Sequence, residues 1–224
     1  MKGIKACVFD AYGTLFDFNS AVARHRAEIG PQADRLAQMW REKQIGYTWW
    51  RSIMGSYAPF WQVTGEALSH CLQACGLPRE GALHERLMQA YLVLDPFPEV
   101  ASTLGALHAT EMPLAILSNG NPEMLEAVVR NTGLAGYFNA LLSVDVVKVF
   151  KPDRQVYRLV TDHFSVAPAE VCFLSSNGWD AHGAASFGFR TLWVNRAGAA
   201  PEGLPGTPAG ELRSLAELPT LVLP

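Results

Sequence analysis

Val8-Phe9-Asp10-Ala11-Tyr12-Gly13-Thr14-Leu15 includes the end of an apolar run that begins at Ile4. The run has the length and the β-branched and aromatic character of a buried parallel strand. It stops at a carboxylate, and a glycine-containing turn with a hydroxyl residue follows. Ligands of open α/β sheets collect beyond the carboxyl ends of the strands, which puts Asp10 where chemistry is expected. A strand-ending aspartate can also serve only to cap the next segment. Three later apolar runs that end in polar residues favour a shared site over a cap.

Residues 16–95 read as helical. Ser20–Ile29, Asp34–Ser56, Gly65–Cys75 and Ala82–Leu94 carry helical periodicity, with breakers at Gly30-Pro31, Gly76-Leu77-Pro78 and Asp95-Pro96. In the longest of these, Leu36, Trp40, Tyr47, Trp50 and Met54 form an apolar stripe, read as core. Arg41 borders that stripe, between Ala37 and Ile45 at i±4. Such an arginine either snorkels to water or turns inward to grip an anion. Tyr57-Ala58-Pro59-Phe60-Trp61 supplies bulky surface for a pocket wall or for packing among the helices.

Beyond Pro96 the pattern alternates. Pro113–Leu117 is a strand ending at Ser118-Asn119-Gly120, followed by a helix with Asn121 as N-cap and Pro122 at its first position. Ala140–Val144 is a strand leading to a loop with Lys148, Lys151 and Pro152. Asp153 caps a helix reaching about His163. Val171–Leu174 is a strand ending in Ser175-Ser176-Asn177-Gly178-Trp179-Asp180, and Thr191–Val194 is a fifth. Residues 197–210 read as a Gly/Pro/Ala-rich loop, and Glu211–Glu217 as a short helix. This alternation predicts an α/β fold with a parallel sheet covered on both faces. The helical insert is too long for a crossover and is expected to be a separate cap, dividing the chain into a core (1–15 and 96–224) and a cap (16–95).

Composition narrows the function. Among 224 residues, 49% are hydrophobic and 17% charged, as in a soluble globular protein, and the net charge of -3 comes with no Lys/Arg block. No nucleic-acid partner is expected, and no window suggests a membrane span. Cys7, Cys71, Cys75 and Cys172 lack zinc or redox spacing and read as buried thiols in a reducing cytoplasm. Lys2 and Lys5 flank a run too short for a signal-peptide core.

The turns carrying Asp10 and Thr14, Ser118 and Asn119, Lys151, and Ser175 to Asp180 are expected to converge. A lysine beside a carboxylate suits a nucleophile kept ionised. Taken singly, Lys151 reads as a surface lysine, Ser118-Asn119-Gly120 as turn chemistry and Asp180 as a helix cap. Their joint occurrence at successive strand ends is poorly explained that way.

The string Asp10-x-Tyr12-Gly13-Thr14, Ser118-Asn119-Gly120, Lys151-Pro152 and Ser175-Ser176-Asn177-Gly178-x-Asp180 resembles the haloacid dehalogenase superfamily. Within it, Tyr12, Ser175-Ser176-Asn177 and the cap segment Trp40-Arg41-x-Lys43-Gln44-x-x-Tyr47-x-Trp49 resemble the hydrolytic (S)-2-haloacid dehalogenases. The resemblance spans the chain and implies a Rossmann-like three-layer α/β/α core with an all-helical cap after the first strand. Phosphatases of the superfamily carry a second acid two positions after the nucleophile. Here that position is Tyr12, a poor proton donor near pH 7 with an ordinary pKa of about 10. Those phosphatases also hold Mg²⁺ through acids in the last motif, where this chain has Ser175, Ser176 and Asn177. Two carboxylates with a lysine between them suit magnesium poorly, so no metal and no cofactor are expected.

The resemblance implies hydrolytic dehalogenation: Asp10 displaces halide from C2 of a 2-haloalkanoate, and water hydrolyses the aspartyl ester. Arg41 and Asn119, aided by Phe60 and Trp179, would hold the halide. Ser118 and Thr14 would bind the substrate carboxylate. Lys151 would keep Asp10 ionised, and Asp180 with Ser175 and Asn177 would direct the water. Tyr12 and Tyr157 are further expected substrate-site residues. Glu42 departs from the family pattern, but a neighbour at i+1 points about 100° away and is expected in solvent. The family implies a homodimer, for which the Trp49-Trp50 region offers apolar surface. A phosphatase on the same fold, or a non-catalytic binding domain, are the competing readings.

Overall fold

The computed structural model describes residues 1–223. In chain order the elements are β1 (Ala6–Phe9), β2 (Phe16–Asp17), α1 (Asn19–Ala23), α2 (Arg26–Ile29), α3 (Ala33–Ile53), α4 (Phe60–Ala74) and α5 (Ala82–Ala90). Then come β3 (Asp95–Pro96), α6 (Val100–His108), β4 (Leu114–Ser118), α7 (Pro122–Asn131), β5 (Ala140–Ser143) and α8 (Arg154–Phe164). The chain closes with β6 (Val171–Ser175), α9 (Gly178–Phe187), β7 (Arg190–Val194), β8 (Gly210–Leu212) and α10 (Leu218–Val222).

Six strands form one sheet in the order β5-β4-β1-β6-β7-β8. Every pairing in it is parallel. Numbered within the sheet this is 3-2-1-4-5-6, the doubly wound order, whose switch point lies between β1 and β6. β1, β4 and β6 are buried along their whole length, which is why their sequences are unbroken apolar runs rather than alternating ones. Cys7 faces Leu114 on one side and Cys172 on the other, so β1 is the middle of the core. Asp10 N donates to Leu174 O at 2.8 Å, carrying the pairing one residue past the strand.

The helical stretch leaves and re-enters this core through a two-stranded antiparallel ribbon, with Phe16 opposite Pro96 and Asp17 opposite Asp95. Phe97 N donates to Leu15 O at 3.0 Å beside it. The two ends of the insert are therefore held together next to the Asp10 turn.

Several sequence expectations change. The segment 20–29 is not one helix but two, α1 and α2, broken at Arg24-His25. α4 starts at Phe60, not at Gly65, because Pro59 takes an extended conformation and serves as N-cap. Asn121 is the N-cap of α7, yet its side chain makes no capping bond; its Oδ1 accepts from Trp61 N at 3.0 Å. The stripe on α3 is core only at its N-terminal end: Leu36 and Trp40 are buried, but Trp50 and Met54 are exposed. The loop 197–210 ends in a sixth parallel strand, β8, where a helix from Glu211 was expected.

One glycine of that loop is required by packing. Gly206 has φ +78°, and a Cβ there would lie 2.4 Å from Ser186 N and 2.5 Å from His182 O. The loop is thus pressed against the backbone of α9, with His182 Nδ1 3.0 Å from Leu204 O. Gly206→Ala is expected to destabilise the fold by ~1–3 kcal/mol, read as a lower urea midpoint at unchanged slope.

Candidate active site

Asp10 sits at the tip of the central strand and is only 6% exposed. Its turn is tight: Gly13 has φ +94°, and a Cβ there would meet Ser176 Oγ at 2.9 Å. Thr14 Oγ1 donates to Asp10 Oδ2 at 3.1 Å and accepts from Ser176 N at 2.8 Å, tying the β1 turn to the β6 turn. Asn177 Nδ2 donates to the same Oδ2 at 2.9 Å. Lys151 Nζ donates to Asp10 Oδ1 at 3.0 Å.

Lys151 also reaches Asp180 Oδ2 at 2.8 Å, so one ammonium bridges two carboxylates. Lys151 and Asp180 are 1% and 0% exposed. Tyr157 donates to Asp180 Oδ1 at 2.8 Å, on the side of Asp180 away from the lysine-bound oxygen. Burial alone would lower the Lys151 pKa, but the two carboxylates outweigh it and push it up. Burial, with repulsion from Asp10, raises that of Asp180 against the pull of Lys151. Burial and the adjacent Asp180 push the Tyr157 phenol well above its ordinary range.

Three expected residues act on the backbone. Asn119 Oδ1 accepts from Lys151 N at 3.0 Å, fixing the loop that carries the lysine. Ser118 Oγ accepts from Gly120 N, and Ser175 Oγ from Asn177 N, each closing its own turn. Ser118, Ser175 and Asn119 thus shape the loops around Asp10, and their side chains make no hydrogen bond to its carboxylate among the described residues.

Arg41 turns inward from α3. Its NH2 group donates to Tyr12 O and Asn177 Oδ1, both at 3.1 Å, and NH1 donates to Gln44 Oε1 at 2.9 Å. Its guanidinium lies 4.7 Å from the centre of the Phe18 ring. Asn177 therefore touches both Arg41 and Asp10. Tyr12 stacks on Phe60 at 5.8 Å and lies 5.4 Å from Tyr91. The Tyr12 hydroxyl is buried without a hydrogen-bond partner among the described residues, and burial, reinforced by Tyr91 and Asp10, raises its pKa strongly. Trp179 packs edge-on against Trp49 of α3. Glu42 is exposed and accepts from Gln38, away from Arg41.

Sequence reasoning assigned no role to Phe18, Gln44, Ser176, Tyr91 and Arg196. Arg196 NH2 donates to Thr14 O at 2.9 Å, while its guanidinium pairs with Glu99 and lies 3.8 Å from the Phe97 ring centre. Nothing local to Arg196 in the sequence signals this. Gln44 stood in the quoted cap segment and Ser176 in the quoted last motif, and these two carried such a hint.

The family model for haloacid dehalogenase-like hydrolases matches residues 4–188. The chain belongs to this family. It is 47% identical over 223 residues to (S)-2-haloacid dehalogenase 1 of Pseudomonas sp. (strain CBS-3), covering 100% of this chain and 98% of that one. A solved dehalogenase with an intermediate complex superimposes with TM-score 0.97 at 44% identity, covering 100% of this chain and 99% of the other. The L-2-haloacid dehalogenase of Xanthobacter autotrophicus with chloropropionic acid covalently bound gives TM-score 0.91 at 39% identity, over 97% of this chain and 98% of that one.

A magnesium ion, which haloacid dehalogenase-fold phosphatases use, does not fit these residues. The Lys151 ammonium occupies the bridging position between the two carboxylates, and the remaining neighbours are the amide of Asn177 and hydroxyls. Among the described residues no three His, Cys, Asp or Glu side chains converge as a metal site. Mg²⁺ needs local negative charge to offset its dehydration.

The buried Tyr12, Tyr157 and Lys151 keep their protons in the folded state to higher pH than in the unfolded chain. Their contribution is complete below the unfolded values of about 10 and is lost as pH rises through the folded ones. Stability is therefore expected to fall between pH 9 and 11 in urea melts. Tyr157→Phe should flatten that slope by up to one proton, ~1.4 kcal/mol per pH unit.

Proposed function

We propose that this chain hydrolyses short (S)-2-haloalkanoic acids to (R)-2-hydroxyalkanoic acids and halide. The observation that carries the reading is the pairing at Asp10: a buried carboxylate with Lys151 on one oxygen, and Thr14 and Asn177 on the other. Two positions on, where a phosphatase has its proton donor, stands Tyr12 with its hydroxyl buried and its pKa raised. Halide leaves without protonation, so displacement at carbon needs no such donor. Phosphate ester cleavage does.

In this reading an Asp10 oxygen attacks C2 from the face opposite the halogen. The C–O bond forms as the C–halogen bond breaks, the halide leaves with the bonding pair, and C2 inverts. Water then adds to the Asp10 carbonyl carbon, and the bond from that carbon to the alkyl oxygen breaks. One proton of the water returns the hydroxyacid oxygen to a hydroxyl and the other passes to solvent. Asp10 regains its carboxylate with one oxygen from water. Lys151 supplies the counter-charge. Arg41 and Asn119, walled by Phe60 and Trp179, receive the halide. Ser118, Thr14 and Tyr12 position the substrate, and Asp180, steadied by Tyr157, directs the water with Ser175 and Asn177. Residues 16–95 form the cap that excludes bulk solvent, and in-line alignment beneath it supplies much of the rate.

Two further proposals concern the whole molecule. Trp50, Ile53 and Met54, 62%, 77% and 72% exposed at the end of α3, offer apolar surface suited to a second copy of this chain, giving a homodimer. Four free thiols, three of them buried, suit a reducing cytoplasm, and no described helix is long and apolar enough to cross a membrane.

In EDTA the protein is expected to release halide from (S)-2-chloropropionate, with Asp10→Asn inactive and p-nitrophenyl phosphate untouched even with added Mg²⁺. A single turnover in ¹⁸O-water should label the Asp10 peptide; label found only in the hydroxyacid would mean direct attack by water and would overturn the ester route. Sedimentation is expected to show a dimer that Trp50→Glu dissociates.

A further inference from the structure

Gln44 is 1% exposed on α3, and its amide has one orientation open to it. Thr64 Oγ1 donates to Phe60 O at 2.7 Å, which spends its only proton. It can therefore only accept from Gln44 Nε2, at 2.8 Å. That turns the amide oxygen the other way, where it accepts from Arg41 NH1 at 2.9 Å and from the Tyr91 hydroxyl at 3.1 Å. Trp40 Nε1 fixes the same turn of α4 by donating to Thr64 O at 2.9 Å. Reversing the amide would point an NH₂ group at a guanidinium and turn the carbonyl oxygen toward Thr64 Oγ1, which has no proton left to give, losing the bonds to Arg41 and Thr64.

Gln44 lies three residues after Arg41, one turn along the same helix face. A flexible, rotamer-rich arginine is thereby clamped at NH1, while NH2 is held at Tyr12 O and Asn177 Oδ1. The residue type matters. A carboxylate here would orient the guanidinium equally well, but would cancel the charge an incoming anion needs. An amide orients without neutralising, and its full burial keeps water from competing.

We infer that Gln44 is a positioning residue: through a one-way hydrogen-bond relay from Phe60 O and Thr64, it holds Arg41 in the orientation that receives the halide. This rests on the reading of Arg41 as the anion grip. Gln44 touches no reacting atom; of the two donors its oxygen holds, Arg41 and Tyr91, it is Arg41 through which it acts on the anion.

The test compares Gln44→Met, Gln44→Glu, Thr64→Val, Arg41→Ala and the double variant Arg41→Ala/Gln44→Met. Halide release is measured from (S)-2-chloro- and (S)-2-bromopropionate, with thermal melts of each protein. Gln44→Met is expected to lose about 10- to 100-fold in kcat/KM, the scale of one hydrogen bond to a charged group. The loss should be greater for chloride, the poorer leaving group, than for bromide. Gln44→Glu should fall at least as far despite preserved geometry. Thr64→Val, which removes only the hydroxyl that orients the amide, should lose a few-fold and carries the test if Gln44→Met folds poorly. On the Arg41→Ala background, Gln44→Met should cost nothing more. Chloride binding by calorimetry, which needs no turnover, should weaken in Gln44→Met by a similar factor.

Wild-type chloride affinity and kcat/KM in a well-folded Gln44→Met overturns the inference, as does a full additional loss in the double variant or an equal loss on both halides. Full activity in Arg41→Ala overturns the anion-grip reading and the inference with it. Absence of halide release from the native protein, with chloride binding still dependent on Gln44, overturns the proposed reaction and leaves the relay standing.

Discussion

One buried ammonium between two buried carboxylates constrains everything near the strand ends. Lys151, Asp10 and Asp180 are 1%, 6% and 0% exposed, and together they carry one net negative charge. Burying three charges is costly unless every remaining donor and acceptor is met. Here Thr14 and Asn177 meet one oxygen of Asp10, and Tyr157 meets the free oxygen of Asp180. Removing Lys151 would leave two like charges facing each other. The trio is therefore a constraint on folding as much as a resource for chemistry.

The parallel sheet is what lets such a cluster exist. β1 ends at Phe9, just before Asp10; β6 ends at Ser175 and leads through Asn177, the N-cap, into α9 with Asp180 in its first turn; and the loop after β5 returns Lys151. Elements far apart in sequence thus deliver their polar residues from both sides of the switch point to one place. The cost of the buried charge is offset by the apolar strands behind it, which are covered on both faces. Asn119 and Ser118, on the β4 turn, brace the lysine loop and their own turn instead of bonding Asp10.

Above the cluster, a second cation approaches from the helical insert. Among the described residues, the hydrogen bonds of Arg41 to the core go to Tyr12 O and Asn177 Oδ1, and within the insert it bonds Gln44 and lies over Phe18. The insert is also anchored at Ser52 Oγ, which accepts from Phe150 N at 3.1 Å beside Lys151, and at Tyr57, which donates to Asp145. The same loop that carries the lysine is thus held by the core through Asn119 and by the insert through Ser52. A neighbour such as Arg196, remote in sequence, closes the arrangement by holding Thr14 O against the ribbon where the insert begins and ends.

The amino-acid order alone disclosed the strand tips, because a buried parallel strand must be a continuous apolar run and its end is marked by the first polar residue. Asp10, Ser118 and Ser175 were legible for that reason, Arg41 stood out as an arginine bordering an apolar helical stripe, and Tyr157 entered only with the resemblance. β8 was not legible: three residues after a Gly/Pro-rich stretch carry no period, and only the open edge of β7 makes them a strand. The α3 stripe showed which residues share a face, but not that the face is uncovered at Trp50 and Met54, since coverage belongs to the neighbouring element. Nor could spacing reveal that Gln44 points its oxygen at Arg41, because that direction is dictated by a threonine twenty residues away. Periodicity is local and survives in the chain; the direction of a hydrogen bond depends on which groups folding brings within reach, and so exists only in three dimensions.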